Sequence, residues 1–382
     1  MKYESITAST DALAMLPSAD LVTALDLVAK VKPKRNSFPI LECAYLHARG
    51  NGIVIRTTDL DLAGMAIIDD VLVDPGFAAV VPVKALMGAL KGLDDGDVTL
   101  IAGEDKLTVQ LGDVVSKIDL QDAADFPLLK SIDYTHSAEF SFDDFSAILN
   151  RTAFAMSTEE TRFYLNGIYF NAPEPGRLEV VATDGHRMGI SRQAMPSGFE
   201  GMPSIIVPSA AIKVLQSLKP AQVQNAVLMS VNDQYARFQA TVKGVRFVTI
   251  TKLINASYPV YSRVVPTHWE NTLTIERDAL LKVAKLMKAR ATGKSLAVRL
   301  EVQGSSLTAR CKGQDCETAI SKPCESDIED AVIGLNVRYL YDLVNKAEGD
   351  TLTLILGDGD GPVRMYGSGD DAATYVQMPM RL

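Results

Sequence analysis

Apolar residues recur three and four positions apart from Asp20-Leu21-Val22 to Val31, and the same spacing returns from Asp144-Phe145-Ser146 to Met156 and from Asp278-Ala279-Leu280 to Ala291. This periodicity predicts three amphipathic helices, each opening on an acidic residue that suits an N-cap. Strand-like pairs follow. In the first two cases they end alike, in Arg56-Thr57-Thr58-Asp59-Leu60 and Val181-Ala182-Thr183-Asp184-Gly185, so that Asp59 and Asp184 lie 125 positions apart. A second helix is then entered through Val81-Pro82-Val83-Lys84, Val207-Pro208-Ser209-Ala210 and Leu335-Asn336-Val337-Arg338.

Each second helix runs into segments where apolar and polar residues alternate, around Val98 to Gln110, Val227 to Phe238 and Leu352 to Met365, the period of half-buried strands. Phe126-Pro127 and Tyr258-Pro259 close the first two copies. The order helix, strands, helix, strands is thus written three times, which marks a duplicated unit. The expectation is an α+β chain of three similar domains, 1–133, 134–266 and 267–382, each with two helices packed on antiparallel sheets.

A length of 382 residues suits three domains, and 47% apolar with 22% charged residues is the composition of a globular protein. No run of about 18 apolar residues predicts a membrane span, and MKYESITAST lacks a signal peptide's apolar stretch, so a cytoplasmic protein is expected. Cys43, Cys311, Cys316 and Cys324 read as reduced thiols; their spacing suits neither a disulfide framework nor zinc, and no cofactor is expected.

The net charge of −9 argues against a tight grip on nucleic acid. Its distribution changes that picture. Lys30, Lys32, Lys34 and Arg35 cluster at the first helix and its exit, and Lys282, Lys285, Lys288 and Arg290 on the fifth. Acids gather instead in turns such as Asp69-Asp70, Asp94-Asp95-Gly96-Asp97 and Asp358 to Asp360. Basic helices on an acidic body attract a polyanion without holding it tightly.

Catalytic candidates are few. The histidines are His47, His136, His186 and His268. Thr183-Asp184-Gly185-His186-Arg187 brings a carboxylate, an imidazole and a guanidinium together, but neighbours along a strand face opposite ways, so a structural or ligand-contact role is expected over a hydrolytic dyad. Gly293-Lys294-Ser295 matches the end of a P-loop but lacks the earlier glycine, Lys288 standing in its place. Asp358-Gly359-Asp360-Gly361 reads as a hairpin turn, not a calcium loop.

Arg162-Phe163-Tyr164-Leu165-Asn166-Gly167, Ala182-Thr183-Asp184-Gly185-His186-Arg187, Tyr258-Pro259 with Arg263-Val264-Val265-Pro266, and the terminal Met378-Pro379-Met380-Arg381-Leu382 together resemble the bacterial DNA polymerase III β subunits, the DNA sliding clamps. The resemblance runs the length of the chain. It implies a head-to-tail homodimer closed into a six-domain ring, helices lining the hole, that encircles double-stranded DNA without regard to sequence. It implies no catalysis by the chain itself. Processivity comes from tethering, which keeps a bound polymerase at high effective concentration near its primer end.

Expected partners are the replicative polymerase catalytic subunit, a separate ATP-driven clamp loader, bypass polymerases and repair proteins, with no membrane. The resemblance carries a groove for a short partner peptide with apolar anchors and a glutamine onto Arg162, Leu165, Thr183, Gly185, His186, Arg187, Met188, Pro259, Arg263, Val264, Asn336, Tyr339, Val376, Met378, Pro379, Met380 and Arg381. Leu165, Met188, Val264, Met378 and Met380 would make an adaptable apolar slot, with His186, Arg187 and Arg263 at its rim. DNA contacts fall on Arg35, Lys84, Phe163 and Tyr164.

The pattern departs from the family's at Ala210, where a basic residue is expected, at Glu159 near the DNA, at Gln377 beside the groove, and at Arg290, where an apolar subunit contact is expected. Two other readings are a peptide-binding adaptor that does not encircle DNA and a hydrolase centred on Asp184 and His186.

Overall fold

The computed structural model describes residues 12–31, 38–267, 271–291, 296–313, 317–357 and 361–381. Lys32, Lys34, Arg35, His268, Gly293-Lys294-Ser295, Cys316, the Asp358 to Asp360 turn and Leu382 lie outside the described residues. The α-helices among the described residues are α1 (Ser18–Val28), α2 (Val83–Leu90), α3 (Phe142–Thr152), α4 (Ser209–Gln216), α5 (Arg277–Arg290) and α6 (Val337–Lys346).

The periodicity that predicts the helices also sets what they bury. In α1 these are Leu21, Ala24, Leu25, Leu27 and Val28, and in α5 Leu280, Val283, Ala284 and Met287, one stripe in each case. The N-cap expectation is corrected. Pro17 caps α1 and Glu276 caps α5 without a side-chain hydrogen bond, and at α3 it is the Ser141 hydroxyl that accepts the N–H of Asp144 at 3.0 Å. Asp20, Asp144 and Asp278 sit inside the first turn, where a carboxylate favours the positive end of the helix dipole without capping a backbone donor.

The chain forms two compact units. One, formed by Met1–Phe145, Pro196–Met202 and Ala210–Leu253, holds a five-stranded and an eight-stranded antiparallel sheet. In the larger sheet Leu62–Ile68 pairs with Val245–Lys252, so the sheet runs from the first predicted copy into the second. Phe140, Phe145, Phe199 and Phe238 stack edge-on or tilted in its core, with centroids 5.7–5.8 Å apart.

The other unit, Ser146–Met195, Pro203–Ser209 and Ile254–Leu382, holds a nine-stranded and a four-stranded antiparallel sheet. Here Arg187–Ala194 pairs with Ala373–Gln377 and carries the sheet from the second predicted copy into the third. Its core gathers α5 and α6 around Leu280, Met287, Leu340, Leu343 and Tyr375.

Glycines 125 positions apart allow the same close approach in both units. A Cβ on Gly64 would stand 2.7 Å from Val31 Cγ2, and one on Gly189 would stand 2.2 Å from the Arg151 carbonyl oxygen at the end of α3. Only a residue without a side chain lets a helix end come that near its sheet.

Candidate functional site

The site grows from the turn between strands Arg177–Thr183 and Arg187–Ala194. Asp184 Oδ1 accepts the backbone N–H groups of His186 (2.9 Å) and Arg187 (3.0 Å), and the Thr183 hydroxyl donates to the Arg187 carbonyl at 2.7 Å and accepts from Gly185 at 3.1 Å. Asp184 thus holds the turn, not the imidazole. Gly185 takes φ +88°, and a Cβ there would lie 2.9 Å from Arg162 Nη1. Arg162 itself pairs with Glu159 at 3.3 Å, which occupies the acid suspected of approaching DNA.

The first copy repeats this turn bond for bond. Asp59 Oδ1 accepts from Asp61 (3.1 Å) and Leu62 (2.7 Å), and the Thr58 hydroxyl donates to the Leu62 carbonyl at 3.0 Å and accepts from Leu60 at 3.0 Å. The 125-residue spacing read in the sequence is therefore a spacing of hydrogen-bonding geometry. Leu60 holds φ +84° where the second copy uses glycine.

Around the second turn the groove residues converge. The Met378 N–H donates to the His186 carbonyl at 2.8 Å, and the Met380 N–H to the Gly334 carbonyl at 2.9 Å, so the chain's end is laid against the turn and the entry to α6. Asn336 accepts the Arg338 N–H at 3.0 Å and caps α6. Tyr339, one turn on, stacks on His186 with centroids 6.1 Å apart. Met188 and Val376 are buried in one apolar cluster against Tyr258, Tyr261 and Val265, and Leu165 is also buried, whereas Val264 is 41% exposed. Pro259, Arg263 and Arg381 are exposed, and Met378, Pro379 and Met380 are half-buried. Buried apolar residues with adaptable methionines at their edge are what an apolar peptide anchor needs.

Two expectations change here. Arg187 is not a rim residue: its side chain is 13% exposed, Nε donates to Asp184 at 3.0 Å, Nη1 to Asp342 at 2.6 Å, and its guanidinium lies 4.6 Å from the Tyr339 ring centroid. It fixes the turn to α6, a role that depends on Asp342, 155 residues away, and that no local pattern announces. Gln377 is 1% exposed and donates to the Asn336 carbonyl at 3.0 Å. Strand Ala373–Gln377 is buried at every position, so strand alternation does not turn Gln377 toward solvent beside the groove.

Three family models match the chain in succession: the DNA polymerase III beta subunit N-terminal domain over residues 15–130, the central domain over 139–260 and the C-terminal domain over 262–381. A beta sliding clamp of Caulobacter vibrioides is 30% identical over 378 residues, covering 95% of this chain and 98% of the relative. The chain belongs to the DNA polymerase III beta subunit family. The Escherichia coli beta sliding clamp is 28% identical over 363 residues, covering 91% of this chain and 94% of that protein. A crystal structure of the DnaN sliding clamp of Bartonella birtlesii bound to griselimycin superposes with a TM-score of 0.90 at 26% identity, covering 97% of this chain and 100% of that one. The Caulobacter crescentus pol III beta structure does so at 0.89 and 28%, with the same coverage. Family membership makes this beta subunit a DNA sliding clamp for the polymerase, a processivity subunit and not the catalyst.

The clamp's basic residues stand on helix faces turned to solvent. Lys282, Lys285, Lys288 and Arg290 are exposed on α5 opposite its buried stripe, although Lys288 lies 3.8 Å from the Tyr341 ring centroid and 3.9 Å from Asp342. Lys84 and Ala210 are exposed at the starts of α2 and α4, and Phe163 is 54% exposed beside the half-buried Tyr164. Sequence reasoning missed Lys219. Partial burial of its amine lowers Lys30 from the usual lysine range; Asp26 opposes this, and Lys219, just beyond α4, lowers it further. Lys30 and Lys219, 189 residues apart in the chain, lie within electrostatic reach of each other, with Asp26 the stronger charge beside Lys30, a proximity that only folding produces.

Cys43, Cys311 and Cys324 are buried. Among the described residues no cluster of His, Cys, Asp or Glu is arranged to hold a metal, and no helix is long and apolar enough to cross a membrane.

Proposed function

We propose that two copies of this clamp join head to tail in a ring around duplex DNA, and that partners dock by a short peptide in the groove around the chain's C-terminal end. The groove reading is carried by one observation: residues from four distant segments meet where Met378 and Met380 are hydrogen-bonded to His186 and Gly334. The dimer reading is supported by two sheet edges, Val114–Asp119 and Glu317–Pro323, each pairing on one side only among the described residues. Val114 and Val115 are 50% and 54% exposed on the first. Long exposed edges invite another strand, and joining unlike edges head to tail closes a ring.

The three copies are assigned to 1–133, 134–266 and 267–382. In the ring, exposed α5 and the Lys30 and Lys219 pair face the DNA, with Arg35, Lys84, Phe163 and Tyr164 as contacts, so phosphates are met loosely and the ring slides. The groove serves in turn the polymerase catalytic subunit, the clamp loader, bypass polymerases and repair proteins in the cytoplasm. Arg290, exposed at the end of α5, adds charge pairing to the subunit contact; unchanged dimerisation of Arg290→Ala at both low and high salt would count against that.

The deciding experiment loads the purified protein onto nicked circular DNA with a clamp loader and ATP, then linearises the DNA. Retention on the circle and release after cutting is the expected outcome. Equal retention on both forms would indicate ordinary DNA affinity. No retention on either, with a loader proven on another clamp, would favour the adaptor reading.

A further inference from the structure

The groove's two walls come from segments far apart in sequence. One is the strap from Tyr258 to Pro266, which carries Pro259, Arg263 and Val264; the other is strand Ala373–Gln377, which runs on into Met378. Beneath the strap lies a cavity of about 670 Å³. It shares Pro259 with the groove and is lined also by Tyr169, Tyr258, Tyr261, Arg192 and Thr374. The strap packs on Met188 and Val376 through Tyr258, Tyr261 and Val265, and with this open space beside it that packing is incomplete, so discrete anchors also set its position.

At one end of the strap Arg364 Nη1 donates to the Pro266 carbonyl at 3.2 Å, while the polar anchors of Tyr261 lead to the guanidinium of Arg192. Tyr258 lies flat on Tyr169, centroids 4.5 Å apart. The Tyr261 hydroxyl donates to Glu179 and accepts the Asn171 amide at 3.1 Å. Glu179, 7% exposed, also accepts from Arg192 Nε at 2.6 Å. Arg192 Nη1 then donates to the Thr374 hydroxyl at 2.7 Å, on the strand that becomes the second wall. Arginine's fixed fork of donors suits it to hold two acceptors at a set separation.

We infer that Arg192, through Glu179 and Tyr261 on one arm and Thr374 on the other, is a positioning residue that sets the spacing between the two walls of the partner groove. The inference rests on the groove reading above. Strand Ala373–Gln377 is already registered by its backbone ladder to Arg187–Ala194, so the Thr374 arm fixes the guanidinium and the Glu179 and Tyr261 arm fixes the strap to the guanidinium. The arms act in series, so cutting one has nearly the effect of cutting both; the strap is then ordered only when a peptide binds, and that ordering weakens affinity.

The test measures binding of a fluorescein-labelled short peptide, with one glutamine and two apolar anchors, to the full chain by anisotropy. Tyr261→Phe and Thr374→Val each delete one hydroxyl and leave the buried Glu179 and Arg192 pair in place. Each is expected to weaken binding about five- to tenfold, the net worth of an ordinary hydrogen bond, because the loss acts on the groove only through the strap's position. The double variant should lie within about twofold of either single one, where independent contributions would multiply. Multiplying effects, or single variants within twofold of the parent while Arg263→Ala and Met378→Ala weaken binding, would overturn the inference. If Arg263→Ala and Met378→Ala also have no effect, the groove reading fails and takes the inference with it. Thermal midpoints, expected to fall by no more than about 2–4 °C in either single variant, separate loss of registration from loss of fold.

Discussion

Replacing Arg187 by methionine keeps an unbranched apolar stem and removes the guanidinium that joins the Thr183 to Arg187 turn to α6. Two carboxylates lose a partner. Asp184 retains its two backbone N–H donors, and Asp342, 35% exposed, retains Lys288 at 3.9 Å. Breaking a fully buried ion pair from one side costs about 3–5 kcal/mol, and the surviving donors and partial exposure bring this to about 2 kcal/mol. Loss of the guanidinium over the Tyr339 ring adds about 0.5–1 kcal/mol, which methionine's contact with the ring offsets in part. The expected destabilisation is about 2–3 kcal/mol, read as a shift of the urea midpoint in the full chain at constant slope. Arg187→Lys, able to serve one carboxylate at a time, should fall between the two. A loss below about 0.5 kcal/mol, the range of ordinary surface substitutions, would refute the assignment of Arg187 as a buried pin and return it to the rim.

Gly189→Ala drives a methyl group to 2.2 Å from the Arg151 carbonyl oxygen, and a loss of about 3 kcal/mol is expected in the same assay. Leu60→Gly relieves φ +84° at a residue 47% exposed, and should raise stability by about 1 kcal/mol; a loss would mean that the leucine side chain contributes more than the strain costs. Burial, then the Arg56 charge, pushes His47 down to about 4 from 6.5, partly offset by its hydrogen bond to the Ala48 carbonyl. The unfolded chain therefore binds this proton first, and stability falls as pH drops from about 6.5 to about 4, by about 2–3 kcal/mol in all. Thermal midpoints of His47→Gln and the parent across that range check this; parallel curves would contradict it.

The comparison of turns shows how far local sequence reaches. Thr-Asp followed by a tight reversal is a pattern of side chain to backbone bonds within four residues, so both turns were legible at their 125-residue spacing. Helices were legible for the same reason, since an apolar stripe at a period of 3.6 is a local property, although which residue caps each helix was not. The groove was legible only through likeness to a family.

Gln377 and Arg187 mark the boundary. The resemblance placed Gln377 beside the groove, but that it is buried by both neighbouring strands and the α6 entry was not legible, because burial on two faces erases the period of two. Arg187 looked like a free cation because Asp342 and Tyr339 are distant in sequence. The Lys30 and Lys219 pair, the cavity under the Tyr258 to Pro266 strap and the Arg192 fork are of the same kind. The sequence by itself determined the repeat, its elements, the turn chemistry and the family, all carried by short-range periodicity or motif. Which charges are paired, which side chains are covered and how two groove walls are spaced depend on contacts between residues far apart along the chain. Tertiary structure alone decided those.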